Sequence, residues 1–327
     1  LDLIFGTGMA PAWSARSEVR LGARKVSPRS VGRIGDGQER LFFVPAHRSM
    51  LISDGWAAQF QKLSAETPAV ARGFSQNLFE RFSGKDAGAL FPVNKRLKKP
   101  IREQIDASVF HGGIVRVEEN EQHARRLRLV HGRMHLPFMT WTAGQREFTP
   151  LLLGLYHLLP STKLRKRKET DWVVIEEPEM GLHPQGITAV LLLVLELMRR
   201  GYRVVLSSHS PVVLEMVWAL QEFKKLRSSE LSVRRILEFP ATPEAKKIAL
   251  SALSKDYAVY YFERDGSVRD ISNHPLKFYY DLGVRVTVNT DNRLITDTTV
   301  SKELYLVHTL LRVPGPAVKQ IILNGFK

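Results

Sequence analysis

Two carboxylates stand side by side in "WVVIEEPE": Glu176 and Glu177, directly after an apolar run. An acid pair at the carboxyl end of a buried strand can divide its labour. One acid holds a hard cation such as Mg²⁺, and the other accepts a proton from an attacking water. Successive strand residues point in opposite directions, so the two roles can be filled at once. About one βαβ unit later, "LSSHSP" puts His209 at the end of a second apolar strand, where parallel strands converge on a ligand crevice. A histidine there suits sensing or holding a terminal phosphate. "TAGQRE" opens a helix whose first N–H groups and dipole can receive an anion, and Gly144 lets a phosphate come close. Each segment also has an ordinary reading: an exposed acidic loop, a structural histidine, a helix cap.

Positioning these groups takes a parallel sheet. "WVVI" is a continuous apolar strand of the kind buried on both faces. A helix from about Gln185 follows, ending "MRRG" with Arg199 and Arg200 in its last turn and Gly201 as its cap, and "YRVVLSSHS" is the next strand. Strand, helix and strand in this order predict a right-handed βαβ crossover, so the fold class is α/β with a parallel sheet. "TAGQREFTPLLLGLYHLLP" predicts a helix stopped by Pro160, Pro211 to about Leu226 another, and "AVYYFERDGSVRDIS" a hairpin turning at Asp265 and Gly266.

Upstream, residues 1–40 are rich in Arg, Gly and Ser without a period and read as loop. Leu41 to Val44 reads as a strand stopped by Pro45. The spacing of Leu97, Ile101, Ile105 and Val109 predicts a helix over 93–110, closed by "HGG". "GIVRVEE" and "RRLRLVHGRMHL" alternate as antiparallel strands. After Asn273 the pattern restarts. "HPLKFYYDLG" predicts a helix capped by Gly283, "VRVTVN" a strand, and "TTVSKELYLVHTLL" and "GPAVKQIILNGFK" two more helices, which is one and a half β/α units.

The chain has 327 residues, no cysteine, 44% hydrophobic and 25% charged residues, and a formal charge of +15. No disulfide framework is indicated, and no apolar run reaches the roughly 18 residues a membrane span needs. With no signal-like start, the expectation is a cytoplasmic protein without a membrane partner. The clusters "KRLKKPIR", "KLRKRK" and "FKKLR" could hold the phosphates of DNA or RNA, or be solvated faces.

Together, "TAGQREF", "VVIEEPEMGLHP" and "LSSHSP" resemble the signature loop, the Walker B with its D-loop, and the switch histidine of the ABC-type ATPase heads of the SMC and OLD-like AAA group. Members of that group work on chromosomes, DNA repair and phage defence. The resemblance runs over about residues 40–270 and implies a partial P-loop NTPase fold, ATP and Mg²⁺ as ligands, and a homodimer of heads with ATP sandwiched between them. Glu176 would position Mg²⁺, Glu177 would be the base, and His209 would complete the site. Thr142, Gly144 and Gln145 would reach the γ-phosphate bound by the second subunit. "FVPAHR" resembles the segment of the family's Q-loop, with His47 in place of glutamine. No G-x-x-x-x-G-K-[S/T] occurs, although its lysine and amides are the main phosphate cradle. The expectation is that residues 1–272 are a head whose P-loop part is missing, so that the chain as given binds ATP poorly and is inactive.

Residues 274–327, through "HPLKFYYDLGVRVTVNTDNRLITDTTVSKELYL" and "IILNGFK", are similar to the carboxyl-terminal part of bacterial adenosine deaminases. Those enzymes are TIM barrels in which the Asp of "NTD" ligates Zn²⁺. That residue is Asp291 here, followed by Asn292 where a second Asp is frequent. A barrel needs about 250 residues and eight β/α units. A catalytic zinc needs three protein ligands, and no H-x-H strand precedes Asp291. Residues 273–327 therefore read as a short β/α fragment of a TIM barrel, with Zn²⁺ relevant only to a complete one and Asp291 a solvated loop carboxylate. The start at Leu1 and the end at "LNGFK" suggest a fragment at both ends, from a gene-assembly artefact or a rearranged gene. The alternatives are a zinc-dependent deaminase and a non-catalytic basic nucleic-acid-binding protein.

Overall fold

The computed structural model describes residues 20–21, 24–25, 40–53, 55–83, 88–93, 97–119, 125–159, 166–262, 265–271, 275–288, 299–309 and 311–324. Arg20–Leu21 pairs antiparallel with Arg24–Lys25, and the rest of the Arg- and Gly-rich segment expected as loop lies outside these residues. Strand β1 (Leu41–Val44) leads into a short hairpin of β2 (Ile52–Ser53) and β3 (Trp56–Ala57), helix α1 (Ala69–Ser83) and strand β4 (Ala89–Phe91). Helix α2 (Lys99–Ile105) widens into a π-turn over Asp106–Phe110. It begins at Lys99 rather than Val93 because Pro100 lacks an N–H and fits only the first turn.

Strands β5 (Ile114–Glu119), β6 (Arg125–His131) and β7 (Met134–Pro137) follow. With β4 they form an antiparallel sheet in the order β4-β5-β6-β7. The second predicted strand is thus two, broken by a tight turn at Gly132 and Arg133 that pairs His131 with Met134. Val115 and Val117 face inward with Leu127 and Leu129, as alternation requires.

The chain then enters helix α3 (Ala143–Leu158), strand β8 (Trp172–Glu176), helix α4 (Pro184–Arg200), strand β9 (Arg203–Ser207) and helix α5 (Pro211–Lys225). β8 pairs parallel with β9 on one side and with β1 on the other, so the sheet order is β9-β8-β1. β8 is central, and its Val173 and Ile175 are completely buried. α4 buries Ile187 through Leu197 almost without interruption, each large side chain contributing roughly 1.5–3 kcal/mol on transfer from water. It ends at Gly201, whose φ of 100° is the left-handed cap that glycine adopts cheaply.

Helices α6 (Glu230–Ile236) and α7 (Pro243–Leu253), the antiparallel strands β10 (Tyr260–Phe262) and β11 (Val268–Asp270), and helices α8 (Pro275–Asp281), α9 (Val300–Thr309) and α10 (Gly315–Asn324) follow among the described residues. Most buried residues join one core. A small cluster around Trp218, Val259 and Ile271 seats the β10–β11 hairpin on α5, with the Trp218 indole N–H donating to the Ile271 carbonyl at 2.9 Å.

A third cluster, Val307, Val313, Ala317 and Ile321, holds the terminal segment together. The predicted strand "VRVTVN" is corrected here: residues 284–288 form no strand. A strand needs a partner ladder, and here Val286 and Val288 pack as loop against the helical cluster while the Val286 carbonyl accepts from the Asn324 amide. After residue 273 the described residues hold three helices and no strand, so they show no β/α unit of a TIM barrel.

Candidate functional site

Because β1, β8 and β9 run parallel, their carboxyl ends open at one edge, and three loops meet there: Pro45–Ser49, Glu177–Leu182 and Ser208–Ser210. The register pairs Glu176 with Ser207 and Ile175 with Val44. Glu176 is the last residue of β8, and its Oε2 accepts from the Ala46 N–H at 3.1 Å. The Glu177 N–H continues the ladder to the Ser207 carbonyl at 2.9 Å, and then the backbone turns sharply. Glu177 has φ 40°, a left-handed conformation that a non-glycine residue enters at a cost. From there its carboxylate reaches His209: Oε1 lies 3.2 Å from Nε2, with the glutamate side chain 32% and the histidine 55% exposed. The pair is open to solvent on one side, as a site for a soluble ligand must be.

The Ser208–Ser210 loop is held from below by Glu179, which sequence reasoning passed over. Its Oε1 accepts from the Ser208 hydroxyl at 2.7 Å, the His209 N–H at 2.9 Å and the Ser210 N–H at 3.1 Å. Consecutive N–H groups converging on one oxygen make a small anion nest, here filled by the chain's own carboxylate. Glu179 thus fixes the backbone that carries His209. The signal was present in "EEPE", whose third glutamate lies just past the proline.

Thr142, Gly144 and Gln145 sit at the amino end of α3. Thr142 and Gln145 form a capping box: the Thr142 hydroxyl accepts from the Gln145 N–H, and the Gln145 side-chain oxygen accepts from the Thr142 N–H, both at 3.2 Å. The Gln145 side-chain NH₂ donates to the Val109 carbonyl at 2.9 Å, so both ends of this amide brace the helix internally. Gly144 packs against the turn after Glu179; a Cβ added to it would lie 2.8 Å from the Gly181 carbonyl oxygen. The structure therefore brings the signature-like segment against the D-loop-like segment of the same chain. His47, at the position compared with the Q-loop glutamine, is exposed with φ 49°, while its neighbour Arg48 is fully buried.

Glu176 offers partly exposed carboxylate oxygen at the mouth of the crevice, a hard donor that suits a Mg²⁺ shared with phosphates and water. Among the described residues no group of three or more His, Cys, Asp or Glu side chains forms a metal cluster. Asp291 lies outside the described residues. The basic clusters are partly neutralised: Lys99 pairs with Glu103, Lys166 with Asp171, Lys224 with Asp256 and Lys225 with Glu222. Among the described residues no helix is long and apolar enough to cross a membrane.

Residues 136–215 match the AAA domain family named for the AbiEii toxin of a Type IV TA system. That span runs from β7 through α3, β8, α4 and β9 into α5, and it contains Thr142, Gly144, Gln145, Glu176, Glu177 and His209. Shorter stretches are similar to adenosine deaminases. The one from Clostridium acetobutylicum is 37% identical over 59 residues, 18% of this chain and 18% of that protein. The one from Mycobacteroides abscessus is 53% identical over 45 residues, 14% of this chain and 12% of that protein. The one from Mycobacterium marinum is 51% identical over 62 residues, 19% and 17%. This chain thus spans less than a fifth of the deaminases it matches. No solved structure matches it significantly. Residues 136–215 are similar to an AAA-type ATPase domain, and a short stretch of the chain resembles a piece of adenosine deaminase.

Proposed function

We propose that the chain carries the Walker B, D-loop and switch portion of an ABC-type ATPase head of the SMC and OLD-like kind, and that the chemistry of that head, when a P-loop completes it, is ATP hydrolysis. One observation carries this reading: Glu177 and His209, from adjacent parallel strands, meet at 3.2 Å beside Glu176 at the open carboxyl edge of the sheet. Glu177 accepts the proton of the water that attacks the γ-phosphate. His209, whose Nε2 lies 3.2 Å from that carboxylate, orients it and faces the phosphate. Glu176 would hold Mg²⁺, which when bound supplies charge neutralisation to the phosphate oxygens. The exposed backbone at Thr142 and Ala143 is the surface offered to a nucleotide in a head-to-tail homodimer, while the buried Gly144 and Gln145 shape that surface from beneath. Coupling to DNA repair, chromosome or phage-defence work, with DNA or RNA as a further partner, belongs to the same reading.

Residues 1–272 are proposed as the head and 273–327 as a joined deaminase-like segment without deaminase chemistry. The satellite core around Val307 and Ile321 supports a segment that packs by itself.

The test is ATP turnover by the full-length protein against its Glu177→Gln variant. Loss of a general base lowers turnover by about 10²–10⁴-fold while ATP binding, followed by a fluorescent analogue, is retained. Unchanged hydrolysis in Glu177→Gln refutes the reading.

A further inference from the structure

Arg48 is completely buried, and a buried guanidinium is tolerated only when its donors are satisfied. Its partners are four backbone carbonyls. Nε donates to Glu147 at 3.3 Å, Nη1 to Pro45 at 3.0 Å and to Glu176 at 2.7 Å, and Nη2 to Glu177 at 3.3 Å. Two of these carbonyls belong to the acid pair itself, and a third lies in the first turns of α3. The next residue extends the tie: the Ser49 N–H donates to Glu147 Oε2 at 3.2 Å, and its hydroxyl donates to Oε1 of the same carboxylate. Burial pulls the Arg48 guanidinium below its ordinary value, and the carboxylates of Glu147, Glu179, Glu177 and Glu176 offset part of that.

The contact with Glu177 falls where the chain is strained. At φ 40° this residue sits in a region costing a non-glycine residue about 1–2 kcal/mol, and such outliers persist only where neighbours over-determine them. Two donors converge on the Glu177 carbonyl: the Met180 N–H at 3.1 Å and Arg48 Nη2 at 3.3 Å. Arg48 also holds the carbonyl immediately before the turn. With both peptide planes fixed, the Glu177 side chain has one direction to leave the backbone, and that direction leads to His209.

We propose that Arg48 is a positioning residue for the hydrolytic site, holding Glu177 in its left-handed conformation through the carbonyls of Glu176 and Glu177. The inference rests on the ATPase reading above. Arginine is required because its planar fork presents five donors at fixed angles, whereas lysine offers a compact charge that cannot span four carbonyls in one plane. Arg48 is completely buried and out of a ligand's reach, so it acts on rate through Glu177.

The experiment compares Arg48→Lys, Arg48→Gln and Glu177→Gln in the full-length protein, measuring turnover and KM for ATP, thermal melting, and amide exchange over the Glu177–Met180 turn. The expected result for Arg48→Lys is a folded protein whose kcat falls about 10–100-fold with KM nearly unchanged, as displacement of a catalytic group by about 1 Å predicts. Exchange at Met180 should rise in the same variant, since its acceptor carbonyl loses its second tie. If Glu177→Gln is inactive but both Arg48 variants keep the wild-type kcat, the positioning role is overturned and the ATPase reading stands. If Glu177→Gln itself turns over normally, the ATPase reading fails first. Loss of folding in both Arg48 variants also overturns the proposal, because positioning predicts a folded, slow enzyme and a plain core role predicts collapse.

Discussion

Replacing Gly144 by alanine is expected to destabilise the protein, although alanine is the better helix former. The added Cβ would lie 2.8 Å from the Gly181 carbonyl oxygen, 3.2 Å from Leu182 Cδ2 and 3.5 Å from the Gly181 carbonyl carbon. A leucine methyl can rotate away, but a carbonyl cannot. This one belongs to a turn fixed by the Met180 N–H on the Glu177 carbonyl at 3.1 Å and the Leu182 N–H on the Glu179 carbonyl at 2.9 Å. Relief therefore requires the start of α3 and the turn to separate, at a cost of about 1–3 kcal/mol for overpacking. The gain in helix propensity offsets at most about 1 kcal/mol of this, and less in a first turn. Gly73 is the control. It lies inside α1 with no atom within 4 Å of a built Cβ, so Gly73→Ala gains the propensity term alone, about 0.5–1 kcal/mol. Side-by-side urea denaturation followed by circular dichroism should place the two variants on opposite sides of the wild type. A Gly144→Ala protein as stable as Gly73→Ala would refute the close packing of α3 against the turn, and with it the account of how the signature-like and D-loop-like segments are joined.

Two further perturbations have determined signs. Glu179→Ala removes the acceptor shared by Ser208, His209 and Ser210. It should lower stability by about 1–3 kcal/mol through orphaned donors and lower ATP turnover further by releasing His209 from Glu177; a variant that loses stability but keeps full turnover would show that this carboxylate serves the fold alone. His157 has its pKa lowered from 6.5 to about 4 by burial and by the neighbouring Arg81 and Arg167 charges. The unfolded chain therefore binds a proton that the native one excludes between these values, so its contribution is complete above pH 6.5 and is lost as pH falls toward 4. The slope is at most about 1.4 kcal/mol per pH unit, and less for a ring only partly shielded from water. Denaturation midpoints from pH 7 to 4 in wild type and His157→Gln should converge as acid is added, and parallel curves would contradict this.

The parallel sheet was legible because its strands advertise themselves: "WVVI" and the "VVL" of "YRVVLS" are apolar runs separated by a helix with a glycine stop, and β1 reads the same way up to Pro45. α6 and α7 were missed although Ser229 and Thr242 stand at their starts, because both are short and their apolar positions mix with Arg and Lys. The terminal strand was over-read for the converse reason. Alternation in "VRVTVN" satisfies a local rule, but a strand exists only with a ladder partner, and residues 284–288 find helices instead. In the site, Glu176, Glu177 and His209 could be found because they combine reactive side chains with strand ends. Arg48 could not, because its partners are main-chain carbonyls, and Glu179, although visible in "EEPE", was passed over because two of its three donors are main-chain N–H groups. A carbonyl at position 176 and an N–H at position 209 have no letter in the sequence, so the residues that aim a site through the backbone are the last to become visible. That asymmetry gives the tests here their order. Glu177→Gln asks whether the visible residues do the chemistry, and only after that answer do Arg48→Lys and Glu179→Ala ask whether the invisible ones hold them in place.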